Sequence, residues 1–321
     1  MQYKGTYRGV SNIKRKVAKN RVKKISLSLV FIIVFIITMF LATFKLLNKF
    51  ENNIALSKEE IKSYIDITDK LSEVGYQLNW QEVASINSAL NNGNFEINNE
   101  NINNIANSFF KKDKEGNIIG INSFKVAIKN LDLDNEREAL AKENLEKIKG
   151  NYINKELIND RNKLGFIENI SAVALDNYKN YGILPSITIS QAILESGWGE
   201  STLSSKYNNL FGIKADSRWN GKKVEMETKE NYDDVIVGAF RAYDNVNSSI
   251  EDHGKFLYEN ERYGANGLFQ GKTYIDQAQA LEDAGYSTAK DEDGNLIYAD
   301  KLIRVIQENN LMFYDTNVER K

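Results

Sequence analysis

Cysteine is absent from these 321 residues, histidine occurs once, at His253, and proline once, at Pro185. Without thiols there is no disulfide, no thiolate nucleophile and no cysteine-ligated zinc, and one imidazole cannot build a multi-histidine metal site. Cysteine-peptidase chemistry and most zinc amidase chemistry are thereby excluded, while carboxylate chemistry remains. A large charge excess is missing too. Lys and Arg number 42 against 44 Asp and Glu, net −2, so nothing global points to a nucleic-acid partner. No metal or organic cofactor is implied.

The charge that is present is unevenly spread. Residues 1–24 carry nine Lys or Arg and no acid, including Lys14, Arg15, Lys16, Lys19, Arg21, Lys23 and Lys24. Residues 25–44, Ile25 to Phe44, then run for twenty positions without a charge. A helix of that length spans roughly 30 Å, the thickness of a bilayer's hydrocarbon core. It is too long for a typical signal-peptide apolar region, and no small-x-small cleavage site follows it. The expectation is a single-pass membrane helix at 25–44 in contact with the lipid bilayer. The basic tail 1–24 would stay in the cytoplasm and the rest would face outward.

Residues 45–155 read as a helical stalk or accessory segment. Ser57-Lys58-Glu59-Glu60 and Asn79-Trp80-Gln81-Glu82 have the form of capping boxes before apolar-periodic runs. Ile61, Ile65, Leu71 and Val74, then Val83, Ile86 and Leu90, recur near helical spacing. The stretch from Asn91 to Asn104 reads as a loop into a helix ending near Phe110. A last helix is predicted from about Asp134 to Lys149, with Gly150 placed to end it. No catalytic constellation appears here; the segment would space the remainder from the membrane or bind a partner.

Residues 156–321 carry the chemistry. Phe166, Ile170, Ala174 and Tyr181 suggest one helix; Pro185 then suits the opening turn of the next, where its missing N–H costs nothing. That helix runs from Ile187 to about Ser196, and Gly197 and Gly199 end it. Glu195 therefore sits in the last turn of a mostly apolar helix. The partial negative charge of a helix C-terminus and burial beside Trp198 would both raise its pKa. A general acid needs that shift to stay protonated near neutral pH.

The run Leu184-Pro185-Ser186-Ile187-Thr188-Ile189-Ser190-Gln191-Ala192-Ile193-Leu194-Glu195-Ser196-Gly197-Trp198-Gly199 resembles the glucosaminidase domain of glycoside hydrolase family 73. Further blocks resemble it in the same order: Asn209-Leu210-Phe211-Gly212-Ile213-Lys214, Ala239-Phe240-Arg241-Ala242-Tyr243-Asp244, Ser249-Ile250-Glu251-Asp252-His253, Ala284-Gly285-Tyr286-Ser287-Thr288 and Tyr298-Ala299-Asp300-Lys301-Leu302. The resemblance covers roughly residues 160–312. It implies a mainly α (α+β) architecture: a lysozyme-like catalytic domain with a small β-hairpin lobe and a glycan cleft. It also implies an endo-β-N-acetylglucosaminidase acting on the GlcNAc-β-1,4-MurNAc bond of peptidoglycan outside the membrane. Cell-wall or division proteins could then dock through residues 51–150.

Glycosidic hydrolysis usually takes a second carboxylate. Asn220-Gly221 is a hairpin signal, and Lys223 to Glu230 follows it. Strand alternation puts Val224, Met226, Thr228 and Glu230 on one side and Glu225, Glu227 and Lys229 on the other. If the apolar side packs inward, Glu230 faces the cleft, and the resemblance agrees through Thr228-Lys229-Glu230. Asp233 and Asp234 are the other candidates, and the substrate's own N-acetyl group could replace the second acid. Tyr286 resembles the tyrosine that lines the family's cleft. Trp198 and Phe211 could stack on sugars or pack behind Glu195, and Asn208 and Asn209 suit hydrogen bonds to sugar groups, unless one of the two only caps a turn. His253 reads as a satisfied core or surface histidine, and Asp291 to Asn295 as a surface turn. A muramidase or lytic transglycosylase cutting the other bond, or a non-catalytic wall-binding scaffold, are the rival readings.

Overall fold

Short polar side chains set where the helices start. The Ser57 hydroxyl accepts the main-chain N–H of Glu60 at 3.1 Å, and the Glu60 carboxylate accepts that of Ser57 at 2.7 Å. This reciprocal capping box opens α1 (Lys58–Ser72). Asn79 accepts from the N–H of Gln81 to open α2 (Trp80–Leu90), and Asn98 accepts from Glu100 and Asn101 to open α3 (Asn99–Phe109). Each bond satisfies an N–H that a first helical turn leaves without a carbonyl.

The computed structural model describes residues 56–72, 75–151, 160–230 and 234–316 together with Met39; for 149–151, 228–230, 234–236 and 316 it describes the backbone alone. The basic tail 1–24 lies outside the described residues, as does the apolar run 25–44 apart from Met39. Among the described residues no helix is long and apolar enough to cross a membrane. Every element named here belongs to the single compact unit Ile54–Lys321.

After α3 the chain forms an antiparallel pair, β1 (Phe110–Lys112) with β2 (Ile118–Ile121). Helical periodicity had not announced it: the turn is made by Asp113, whose carboxylate accepts the N–H groups of Glu115 and Asn117. Then come α4 (Phe124–Asn130) and α5 (Asn135–Asn151), which packs along α2. Gly150 lies inside α5 instead of ending it.

The remaining elements are α6 (Arg161–Tyr181), α7 (Pro185–Ser196), α8 (Thr202–Tyr207), β3 (Lys223–Glu230), β4 (Asp234–Arg241), α9 (Val246–Glu259), α10 (Glu261–Ala265), α11 (Tyr274–Asp283), α12 (Tyr298–Glu308) and α13 (Met312–Thr316). The unit is mainly helical with two small antiparallel sheets. Its organising element is α7, which touches α6, α11, α12 and α13. Every residue of α7 is buried except Leu194 and Glu195. Ile187, Ile189, Ala192 and Ile193 join Ile170, Ala174, Leu281 and Leu302 in one core. Burying each isoleucine is worth roughly 1.5–3 kcal/mol, which ties this helix down along its length. The same core continues through Val83, Ile86, Ile102 and Ile105, so α1–α5 and the C-terminal elements share it.

β3 and β4 pair from Lys223↔Arg241 to Glu230↔Asp234, leaving residues 231–233 as the connection. The Asn220-Gly221 signal therefore does not close this hairpin. It lies before β3, after a short segment in which Lys214 also bridges to Phe240 of β4. Gly221 is favoured there by a local contact: an added Cβ would stand 2.4 Å from the Trp219 ring two residues earlier.

Candidate active site

Glu195 is the one exposed position on a helix that is otherwise almost entirely buried. The helix ends because Gly197 takes φ 58° and turns its N–H back to the Ile193 carbonyl, and Trp198 (φ 63°) and Gly199 (φ 80°) continue in the left-handed region. Three such residues in a row turn the chain sharply aside. Gly199 is also held to glycine by Phe166, whose ring would lie 2.9 Å from an added Cβ.

The hydroxyl of Tyr298 donates to Glu195 Oε1 at 2.8 Å. Gln191, one turn earlier on α7, donates its amide N–H to the same hydroxyl at 3.0 Å. With Gln191 as donor, the Tyr298 proton is directed at the carboxyl. Oε1 is thereby occupied as an acceptor, and a proton on the acid resides on Oε2. Glu195 is exposed at the surface of the unit, yet protein atoms crowd its carboxyl. Lost hydration raises its pKa, while the Tyr298 bond and then the Lys301 charge pull it back.

An aromatic column backs this pair. Tyr286 stacks on Tyr298 with ring centroids 5.1 Å apart and planes 20° off parallel. The His253 ring meets Tyr286 edge-on at 6.3 Å and lies flat on Phe211 at 3.7 Å. Burial, and after it the neighbouring Glu195 or tyrosine charge, puts the hydroxyls of Tyr286 and Tyr298 well above the usual phenol range. Both remain neutral donors at any physiological pH.

On the hairpin, Val224 and Met226 are half-buried while Glu225 and Glu227 are exposed, the alternation the sequence implied. Glu230 is the last residue of β3, opposite Asp234. The side chains of Glu230 and Asp234 lie outside the described residues, as does Asp233. The base of the hairpin is tied to α9: Asp252 accepts from Arg241 at 2.7 Å and from the Tyr243 hydroxyl at 2.6 Å. The Arg241 guanidinium lies 4.7 Å from the centre of the Trp219 ring.

Residues 171–311 match the family described as mannosyl-glycoprotein endo-beta-N-acetylglucosaminidase, the glucosaminidase domain. The exo-glucosaminidase LytG of Bacillus subtilis is 36% identical over 156 residues, covering 47% of this chain and 52% of that protein. The peptidoglycan hydrolase FlgJ of Vibrio parahaemolyticus is 36% identical over 149 residues, 44% of this chain and 46% of that one. The crystal structure of the catalytic domain of the autolysin Auto from Listeria monocytogenes is 34% identical, covers 48% of this chain and 87% of that one, and has a TM-score of 0.41. The domain is a glucosaminidase-family glycoside hydrolase. The chain spans about half the length of the curated relatives it matches.

Within the glucosaminidase domain, Tyr286 stands beside the Glu195–Tyr298 pair, and Trp198 is half-buried with its edge against Phe166 at 6.2 Å and the Lys163 ammonium 5.3 Å over its ring. Two other sequence expectations need correction, those for Asn209 and His253, while Asn208 and Phe211 take the capping and packing alternatives. Asn209 is buried, and its amide is spent inside the chain: it donates to the Ile213 and Arg241 carbonyls and accepts from the N–H groups of Phe211 and Ile213. No donor is left for a sugar. Asn208 takes φ 55° to cap α8 and donates to the Tyr243 carbonyl, so both asparagines brace the loop. Phe211 is buried with one face covered by His253, which makes it a packing residue. His253 is buried but not satisfied: neither ring nitrogen has a partner among the described residues. Burial pushes its pKa down to about 3, so it stays neutral.

Sequence reasoning missed Tyr298 and Gln191 as members of the site, although both lie in blocks that carried the family resemblance. Gln191 was legible in principle, one turn before Glu195 on the same face. Tyr298 lies 103 residues beyond Glu195 and only folding joins them. The Asp291–Asn295 segment is a tight exposed turn in which Asp291 accepts from both the backbone and the amide of Asn295.

Proposed function

We propose that this chain is a membrane-anchored peptidoglycan hydrolase, an endo-β-N-acetylglucosaminidase that cuts the GlcNAc-β-1,4-MurNAc bond of glycan strands. The observation that carries the reading is the Tyr298–Gln191 relay onto Glu195 at the open end of a buried helix, in a domain of the glucosaminidase family. Burial raises the Glu195 pKa and so favours the protonated form that a general acid needs. Its proton, on Oε2, passes to the glycosidic oxygen as the bond to the anomeric carbon breaks. The carboxylate left behind is stabilised by the Tyr298 donor and the Lys301 charge. Glu230, at the end of β3, is the proposed second acid, activating water or stabilising the developing cation. Tyr286 lines the cleft.

The charge-free run 25–44 behind a basic tail supports a single-pass anchor with the enzyme on the wall side. The match of FlgJ, named a peptidoglycan hydrolase, supports wall glycan as substrate. Residues 51–150 offer a surface for cell-wall or division proteins.

The test is mass spectrometry of borohydride-reduced products released from purified peptidoglycan by the full-length chain, its Glu195→Gln and its Glu230→Gln variants. Reduced GlcNAc ends that vanish in Glu195→Gln establish the reading. Reduced or anhydro-MurNAc ends would move the enzyme to the other bond, as a muramidase or lytic transglycosylase. No products from the wild-type chain would leave a wall-binding scaffold.

A further inference from the structure

α11 and α12 run side by side as a helical hairpin, and their two ends meet different parts of the molecule. At one end, the Glu282 carboxylate near the end of α11 accepts the N–H of Ala299 at 2.9 Å, next to Tyr298 at the start of α12. That end holds the tyrosine bonded to Glu195. At the other end, Tyr274 begins α11 and Gln307 is the penultimate residue of α12. Both donate to one oxygen of Asp69, the Tyr274 hydroxyl through a very short bond and Gln307 at 3.2 Å. Gln77 donates to the other oxygen at 2.9 Å. Just past α12, Asn310 takes φ 53° and accepts from the Trp80 indole N–H at 2.9 Å.

Asp69, Gln77 and Trp80 are contributed by α1, the turn after it and the start of α2, all ahead of the family match at 171–311. Asp69 is 7% exposed. A carboxylate taken so far out of water is costly unless its lone pairs are filled, and here both oxygens are. Taking it away would leave the buried Tyr274 hydroxyl without its acceptor and remove the group on which Tyr274, Gln307 and Gln77 converge. A helix is stiff over the roughly 16 Å of α12, so a shift of its far end is carried to Tyr298.

We infer that Asp69, with Trp80, is a positioning residue for the glycosidase reaction: it clasps the open end of the α11–α12 hairpin and so holds Tyr298 on Glu195. On this account the N-terminal helices are more than a spacer. They complete the active site from behind, through one hairpin. The inference rests on Glu195 being the catalytic acid.

The experiment measures kcat and KM against pH on solubilised glycan strands, using the full-length chain in detergent, for wild type, Asp69→Asn, Tyr298→Phe and the double variant. The groups facing Glu195 are Tyr298 and Lys301 from α12 and Tyr286 from the preceding turn, so releasing Tyr298 removes a stabiliser of the ionised acid. Asp69→Asn is expected to lower kcat about tenfold with KM little changed, as for a misplaced catalytic group. The basic limb of the kcat profile should move to higher pH in Asp69→Asn and Tyr298→Phe alike. The double variant should be no worse than Tyr298→Phe alone. A limb that superimposes on wild type, or effects that multiply, would overturn the inference, because a merely structural role lowers the amount of active enzyme without moving its pH profile. If Asp69→Asn does not fold, Trp80→Phe keeps an aromatic side chain, removes the donor to Asn310, and is read the same way. Glu195→Gln runs beside them: full activity in that variant would sink the acid assignment itself, whatever Asp69→Asn does.

Discussion

The Asp315 carboxylate accepts the main-chain N–H of Ser186 at 2.9 Å, so α13 caps the start of the helix that ends in Glu195. Asp315 is fully buried and its second oxygen has no partner among the described residues. Burial pushes its pKa up to about 7, against about 4 in an unfolded chain. Between those values the folded protein holds a proton that the unfolded chain has lost, so this group's stabilising contribution is full below pH 4 and falls as pH rises to 7. The loss amounts to about 4 kcal/mol at most. Asp315→Asn keeps the acceptor and cannot titrate. Its melting temperature, scanned from pH 4 to 8, should therefore gain on wild type as pH rises; a constant difference would show that Asp315 does not titrate in that window.

His253 acts in the opposite sense. Its folded pKa of about 3 lies below the unfolded value, so its contribution is present above about pH 6.5 and is lost as pH falls toward 3. Up to about 5 kcal/mol is at stake, since the ring is wholly buried between Phe211 and Tyr286. His253→Leu is expected to flatten the acid side of the stability curve in denaturant titrations at pH 4 and pH 7. Equal destabilisation at both values would mean the histidine is already charged or solvated.

Asn209→Asp separates loop bracing from sugar binding. The change swaps an amide NH2 for a carboxylate oxygen facing the Ile213 and Arg241 carbonyls, a buried clash of acceptors. It should cost about 3 kcal/mol of stability. A variant with wild-type stability and only a raised KM would restore Asn209 as a substrate ligand.

At the hairpin base, Asp252→Asn leaves the Arg241 guanidinium, 11% exposed as a side chain, without its counter-charge. A fully buried pair broken this way costs 3–5 kcal/mol, and with partial exposure about 2 is expected. Because Arg241 ends the strand that carries the hairpin, activity should fall along with the melting temperature. Unchanged values of both would mean that the ion pair does not hold the lobe.

Much of the site was legible wherever its causes are local. The place of Glu195 follows from an apolar periodicity, a proline that opens the helix and glycines that end it, all within a few turns of each other. The face alternation of Val224 and Met226 against Glu225 and Glu227 and the capping box at Ser57 were readable for the same reason. Asn220-Gly221 shows the limit: its local turn preference was real, but the strand partner lay elsewhere, so the hairpin closed at 231–233.

By itself the sequence determined the place of Glu195, the helix that presents it and the family resemblance. Periodicity, capping and motif order act over neighbouring residues, and they survive whatever the rest of the chain does. Only the tertiary structure decided what the Glu195 carboxyl touches. Tyr298 reaches Glu195 across 103 residues and Asp315 reaches Ser186 across 129, while Asp69 reaches Gln307 across 238. No short-range preference encodes such pairs; they exist because burial of one shared core brings those backbones together, and each buried polar group must then find its partner there.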